Sequence, residues 1–446
     1  MEIPSKKYGF FTATAMVIGI VIGSGVFKSA GDVLKASGGS LPMAVLAWLI
    51  GGLIMVVSAY AFSLVATKVE RSSGIVDYVE DALGEMAGYL VAWFLNFVYY
   101  PTLTGILSWL AATISASLLG LDNPITGVYT WVIAVVYMIA TYVLGFLSPV
   151  LSGKWQISAT SIKLIPLGLI AIVGLISGLI NGNVQTSFTV NAIGVSGGLA
   201  SAVAVTAFAY DGWILATTIN SELKDSKKTL PKALVVGTLV IVVAYILFFI
   251  GLSGVITNQE AIELAGSLET SKLAANRLFG SLGNVVSVLI LVSVLGTVNG
   301  VVMAATRGLH SISVRNLGPR PAFFKELSKT GATLRSGLIS IVFSLFWLFV
   351  WFGNFKGFWG GFMDTSILSI VFLSGSYLMV YVHIIKEFKD LNKFNRFVVP
   401  SLAGLGSCYL LYGAFMSDPK MFLYFLIVVS IFLLVGIVLK NPKTSN

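Results

Sequence analysis

The chain has 446 residues, of which 57% are hydrophobic and only 11% charged, with a mean hydropathy of +0.92. A soluble domain of this length carries about a quarter charged residues, so an aqueous globular fold is excluded. The 28 basic and 19 acidic residues leave a formal charge of +9, and whether that implies a nucleic-acid partner depends on where the charges lie.

Apolar runs of roughly 20 residues, each suited to a bilayer-spanning helix, recur from end to end. Twelve are expected, at about 9–35, 42–67, 86–118, 126–148, 156–181, 197–219, 230–256, 282–314, 335–353, 361–386, 396–416 and 421–440. Period-2 alternation is absent, which argues against a β-barrel. The fold expected is an all-α integral membrane protein forming one transmembrane domain over 1–446. No linker or low-complexity segment divides it, and the polar connections at about 257–281 and 315–334 are amphipathic enough for short surface helices.

With twelve spans and the N-terminus inside, 21 basic residues fall in cytoplasmic segments, Lys6, Lys7, Arg71, Lys329 and Lys443 among them. Six fall on the other side: Lys28, Lys35, Lys272, Arg277, Lys356 and Lys420. This is a positive-inside bias, so the excess charge is topological and calls for no nucleic-acid partner. Both termini are expected in the cytoplasm of a cell-membrane protein. The first apolar stretch is too long for a removable signal peptide and lacks a small-residue cleavage site. Cys408 is the only cysteine, so no internal disulfide forms and no thiol cluster offers a metal site. No cofactor or metal is expected, and His310 and His383, near the cytoplasmic ends of spans eight and ten, are given no role.

The first span carries an anomaly. "AMVIGIVIGSGVF", Ala15 to Phe27, places Gly19, Gly23 and Gly25 where lipid crossing alone needs no glycine. A break in lipid must be buried or face a cavity, because its freed N–H and C=O groups have no water to bind. Amides at Ser24 and Gly25, along a half-helix N-terminus, suit a carboxylate. Carbonyls just before the break, such as Val21, suit an ammonium. The competing reading is that Gly19 and Gly23 only allow close helix packing.

Two further residues stand out. Lys163, in "SIKLIPLG" of span five, is the one basic residue left within the apolar core by this placement, and Asp211, in "AFAYDGWIL" of span six, is the clear intramembrane acid. A charge near mid-bilayer costs about 2.5–3.5 kcal/mol on insertion scales. The two residues pair with each other, or Asp211 caps a half-helix starting near Trp213, or Asp211 takes part in a substrate site. Asp211-Gly212 is a candidate break in span six, five spans after the first. Matched breaks at that interval give a five-plus-five inverted repeat with helices 1 and 6 discontinuous. Repeat one covers about 9–181 and repeat two about 197–386, with extra helices at about 396–440. Carbonyls at Phe208 and Ala209 then join Val21 in facing an ammonium, and one α-amino acid backbone satisfies both charges.

"GIVIGSGVF" together with "FAYDGWILATTINSELKDSKKTLPKAL", "ATSIKLIPLGLI" and "LGTVNGVVMAATR" resembles the amino acid–polyamine–organocation (APC) superfamily and its L-amino-acid transporter (LAT) branch. Its nearest relatives in pattern are bacterial serine/threonine and alanine/serine/cysteine exchangers. The resemblance implies a LeuT-like fold and sodium-independent exchange of small neutral L-amino acids. It implies that Gly23, Ser24 and Gly25 bind the carboxylate, and that Val21, Phe208 and Asp211 offer carbonyls to the amino group. It also implies that Lys163 stands where sodium-coupled relatives hold a cation. "KDSKK" departs from the Asn-Pro the family often has after span six. Eukaryotic members bond a heavy subunit through a cysteine between spans three and four; the loop near Leu119 to Ile125 has none, so no disulfide-linked heavy subunit is expected.

Spans three, six, eight and ten are expected to complete the pocket, with Thr297 and Asn299 as linings and Phe208 and Tyr210 as lids or packing residues. A channel needs a continuous polar or charged ring, and an enzyme needs a nucleophile–base set or paired acids; the spans offer neither. The nearer alternative is a proton-coupled or uniporting amino acid permease that titrates Lys163.

Overall fold

The computed structural model describes residues 8–69, 73–190, 198–217, 223–328 and 331–440. Lys6, Lys7, Arg71, Lys329, Lys443 and the stretch 218–222 after span six lie outside the described residues. Among the described residues there is no strand, only one bridge between Tyr8 and Leu223, where the Lys224 amide also donates to the Tyr8 carbonyl at 2.8 Å.

Helices α1 (Phe10–Val21) and α2 (Gly25–Ala36) are bent by 56° at the break between them and together are long and apolar enough for one span. They are followed by α3 (Leu41–Ala66), the short α4 (Ile75–Leu83) and α5 (Glu85–Phe94). A π-helical turn over Leu95–Tyr99 joins α5 to α6 (Tyr100–Leu118), and α7 (Val128–Leu147) comes next. Helix α8 (Pro149–Ile162) meets α9 (Leu164–Ile180) at Lys163, where the chain is interrupted. Pro166 lacks the N–H that would return to the Ile162 carbonyl, so the interruption has a local cause.

After α10 (Asn183–Thr189), the second half starts with α11 (Gly198–Tyr210) and the short α12 (Trp213–Ala216), then α13 (Ser226–Ser253). Short helices α14 (Asn258–Glu263) and α15 (Glu269–Phe279) occupy the 257–281 connection. Helix α16 (Gly283–Val314) leads to α17 (Pro321–Phe324) in the second polar connection. The chain ends with α18 (Leu334–Phe355), α19 (Thr365–Glu387), a π-helical turn at Phe394–Val398, α20 (Val399–Ser417) and α21 (Pro419–Leu439).

Ten helical stretches among the described residues are long and apolar enough to cross a membrane, and the bent pair α1–α2 adds an eleventh. Helix α11, at 13 residues, falls short alone. The expected ends of span six, 197 and 219, lie outside the described residues. Among the described residues, boundaries agree with the expected segments to within a few residues except at span five, which begins at Pro149 rather than near 156. The cause is local: Ser148 accepts the Leu151 amide at 3.2 Å as an N-cap and Pro149 takes the first helical position, so a single residue separates α7 from α8.

Helices α1, α2, α3, α6, α11 and α13 carry most of the fully buried side chains. Helices α7 and α21 present rows of exposed Val, Leu and Ile, as lipid-facing helices must.

Candidate functional site

The first break spans 22–24. Ile22 N still bonds to the Ile18 carbonyl at 2.9 Å, after which the helical ladder stops. The last carbonyls of α1, at Gly19, Ile20 and Val21, and the first amides of α2 are therefore released from intrahelical bonding. Ser24 sits at the N-cap of α2 but makes no side-chain cap, and its Oγ is fully buried with no partner. An uncapped helix N-terminus inside a protein leaves its amides and partial positive charge for a ligand.

The second break is the two-residue turn Asp211-Gly212 between α11 and α12. Gly212 has φ +99°, a conformation that side-chain-bearing residues resist, which explains glycine here.

The two breaks lie against each other. A Cβ on Gly25 would stand 2.7 Å from both the Phe208 carbonyl oxygen and the Ala209 Cα. A Cβ on Gly212 would stand 3.4 Å from the Ile20 carbonyl oxygen and 3.9 Å from the Val21 Cα. The start of α2 thus meets the end of α11, while the end of α1 meets the start of α12. The two breaks therefore pack directly on each other. Of the two glycines in the close-packing reading, Gly19 is tightly packed, since a Cβ there would meet Thr160 of α8 at 2.8 Å, and a Cβ on Gly23 would stand 3.2 Å from Thr297 Oγ1; Gly25, outside that reading, packs on α11 as well.

The remaining expected residues divide. Thr297 of α16 lies beside the break, with its Oγ1 at 3.2 Å from where a Gly23 Cβ would sit. Asn299 does not face the break. Its Oδ1 accepts the Ser152 hydroxyl at 2.7 Å, and its Nδ2 donates to the Ser152 carbonyl at 3.0 Å and to Gln156 Oε1 at 3.2 Å. The carboxamide of Asn299 thus joins α16 to α8. Tyr210 is a packing residue rather than a lid, since its hydroxyl donates to the Trp48 carbonyl at 2.9 Å and its ring stacks on Tyr245.

Lys163 and Asp211 do not pair. The Lys163 ammonium donates to the Gly19 carbonyl, one of those released by the first break. Asp211 instead accepts the Tyr99 hydroxyl and the backbone amide of Gly212, at the turn that leads into α12. Val21, expected to face an ammonium, is already approached by the Tyr245 hydroxyl at 3.4 Å.

Lys28, expected on the non-cytoplasmic side, is buried within the protein. Its side chain is fully buried one turn into α2, 3.1 Å from Asp32 and 3.1 Å from Asp364, with its ammonium 4.8 Å from the Phe208 ring centroid. Asp364 also caps α19 by accepting the amides of Ser366 and Ile367, each at 3.1 Å. Lys163 is therefore not alone among buried basic residues. The signal was present in the sequence as a lysine and an aspartate at i and i+4 inside the first apolar segment. Among the described residues no group of His, Cys, Asp and Glu could hold a metal ion.

A many-helix apolar protein built around two facing helix breaks, offering amides on one side and carbonyls on the other, is a membrane carrier of small polar solutes in its architecture. The chain belongs to the amino acid permease family of the APC superfamily, whose model matches residues 8–439. Among its relatives is the serine/threonine exchanger SteT of Bacillus subtilis (strain 168), 33% identical over 341 residues, or 76% of this chain and 75% of that protein. The b(0,+)-type amino acid transporter 1 of Mus musculus is 29% identical over 335 residues, covering 71% of this chain and 67% of the relative. The large neutral amino acids transporter small subunit 2 of Oryctolagus cuniculus is 27% identical over 315 residues, which is 68% of this chain but 56% of the relative. The protein is an amino acid transporter with many membrane-spanning helices.

Proposed function

We propose that the protein is a sodium-independent exchanger of small neutral L-amino acids that works by alternating access. In this reading the chain crosses the membrane twelve times in a LeuT-like five-plus-five inverted repeat, with both termini cytoplasmic. The amides of Gly23, Ser24 and Gly25 hold the substrate carboxylate. Carbonyls at Val21, Phe208, Ala209 and Asp211 face its amino group, and Thr297 lines the pocket. The chain acts without a disulfide-linked heavy subunit and without catalytic chemistry.

The observation that carries the reading is the mutual packing of the two breaks, with Gly25 against Phe208 and Ala209 and Gly212 against Ile20 and Val21. A zwitterion needs a donor cluster and an acceptor cluster a few ångströms apart, and opposed half-helices supply both without a charged side chain. The name of SteT, a serine/threonine exchanger, supports the choice of a small polar substrate.

The test is counterflow. Proteoliposomes preloaded with unlabelled serine should accumulate labelled serine against its gradient, and empty ones should not. Uptake into empty vesicles, or uptake driven by an imposed pH gradient, would instead identify a uniporting or proton-coupled permease.

A further inference from the structure

Helix α6 begins with a proline one residue in, and the consequences reach the second break. Pro101 has no N–H to give to the Phe97 carbonyl four residues back. That carbonyl is taken up by the indole N–H of Trp347 on α18, at 2.8 Å. The turn before it, Leu95–Tyr99, widens to a π-helical turn closed by the Tyr100 amide on the Leu95 carbonyl. Such single-turn insertions are frequent at functional sites because they change which side chain meets a neighbour. Here the side chain at the end of the turn is Tyr99, buried at 5% exposure, and its hydroxyl donates to Asp211, 112 residues away.

Asp211 is the first residue of the turn that interrupts span six. The helix after it, α12, has four residues, so few helical bonds hold the turn in place. No ion pair holds Asp211 either, among the described residues. The Tyr99 hydroxyl ties the turn to α6, and through Trp347 the anchor continues to α18.

We propose that Tyr99 is the positioning residue of the second break. By holding Asp211 it fixes the direction of the last carbonyls of α11, at Phe208 and Ala209, toward the substrate amino group. This rests on the reading of the paired breaks as an amino acid site. Tyr99 touches no substrate; it acts through Asp211.

The test is a double-mutant cycle in proteoliposomes, measuring KM and maximal rate of labelled serine uptake for wild type, Tyr99→Phe, Asp211→Ala and the double variant. Tyr99→Phe removes one hydroxyl and keeps the buried ring. Losing a hydrogen bond to a charged group corresponds to about a tenfold change in affinity, so KM should rise about tenfold with the maximal rate per molecule within about twofold. Asp211→Ala should raise KM at least as much, and the double variant should be no worse than Asp211→Ala, because both remove the same contact. Asp211→Asn, which keeps an acceptor oxygen for Tyr99, should fall between wild type and Asp211→Ala. A wild-type KM in Tyr99→Phe, additive effects in the cycle, or a fall in maximal rate without a change in KM would overturn the positioning role. Wild-type protein that moves no serine would overturn the amino acid reading and this proposal together, whereas active wild type with a normal Tyr99→Phe overturns this proposal alone.

Discussion

Lys28 shows how much one residue holds in place. Two carboxylates, Asp32 on its own helix and Asp364 at the cap of α19, share its buried ammonium at 3.1 Å each. Removing one partner from a buried charged group costs about 3–5 kcal/mol, because the charge left behind is uncompensated. Lys28→Met should therefore lower the thermal midpoint of the purified protein strongly, and adding Asp364→Asn should recover part of the loss. A midpoint equal to wild type would mean that the cluster contributes nothing to stability. Gly25 gives a second residue-scale prediction. Any side chain there meets the Phe208 carbonyl and the Ala209 backbone at 2.7 Å, neither of which is a flexible group. Gly25→Val should abolish uptake and also destabilise the protein by about 1–3 kcal/mol, the usual range for overpacking. Ser24→Ala should reduce uptake less, since the amide survives and the buried Oγ has no partner to lose. Normal uptake by Gly25→Val would show that the breaks need not touch. The glycines of both breaks were legible because glycine inside a span has few physical uses. Lys28 was not, since hydropathy cannot tell a lysine at a water boundary from one buried against two acids. The α8 partner of Asn299 was not legible for a related reason: a polar residue in a span signals a partner, and the sequence does not say which one.

Among the elements, the broken helices and the connections were unequally readable. The breaks follow from local chemistry, as do the one-residue junction at Ser148-Pro149 and the interruption at Lys163 before Pro166. The π-helical turn of Leu95–Tyr99 has a hint in Pro101 but also depends on Trp347 reaching in from α18, a contact between residues 250 positions apart that no local pattern encodes. The connection between α13 and α16 carries its own titratable clamp. Glu260 closes a capping box with Thr257 and accepts Arg277 at 2.6 and 2.8 Å, and those bonds hold its carboxyl down at about 2. An unfolded glutamate titrates near about 4.3, so the folded state binds this proton more weakly. The clamp contributes its full stabilisation above about 4.3, and that contribution is lost as pH falls from there through about 2. The pair is exposed enough that the effect stays below about 1 kcal/mol. Thermal midpoints of wild type and Glu260→Gln should differ slightly at pH 6 and converge toward pH 3. A gap that widens on acidification would reverse the sign and remove this account of the clamp.

On the scale of the whole molecule, composition was enough to give a membrane protein of many helices, because a chain 57% hydrophobic and 11% charged has no aqueous alternative. What composition could not give was the packing of the two breaks on each other. That arises from backbone contacts at Gly25 and Gly212, between segments nearly 190 residues apart. The same arrangement bears on what drives transport. The carbonyls freed where a helix breaks are natural cation ligands, and at Gly19 the Lys163 ammonium already occupies one. A sodium ion bound beside it would meet a like charge. At about 4 Å and an effective dielectric near 20, that repulsion is about 4 kcal/mol, enough to exclude a second cation from the spot. Uptake should therefore proceed at an unchanged initial rate when choline replaces sodium on both faces of a proteoliposome. Lys163→Ala should leave the purified protein monodisperse but cut turnover severely, because the Gly19 carbonyl loses its ammonium partner beside the break in span one. If Lys163→Ala transports at the wild-type rate, or if wild-type uptake collapses in choline, then the ammonium is structural and the cation that serves the first break must come from solution.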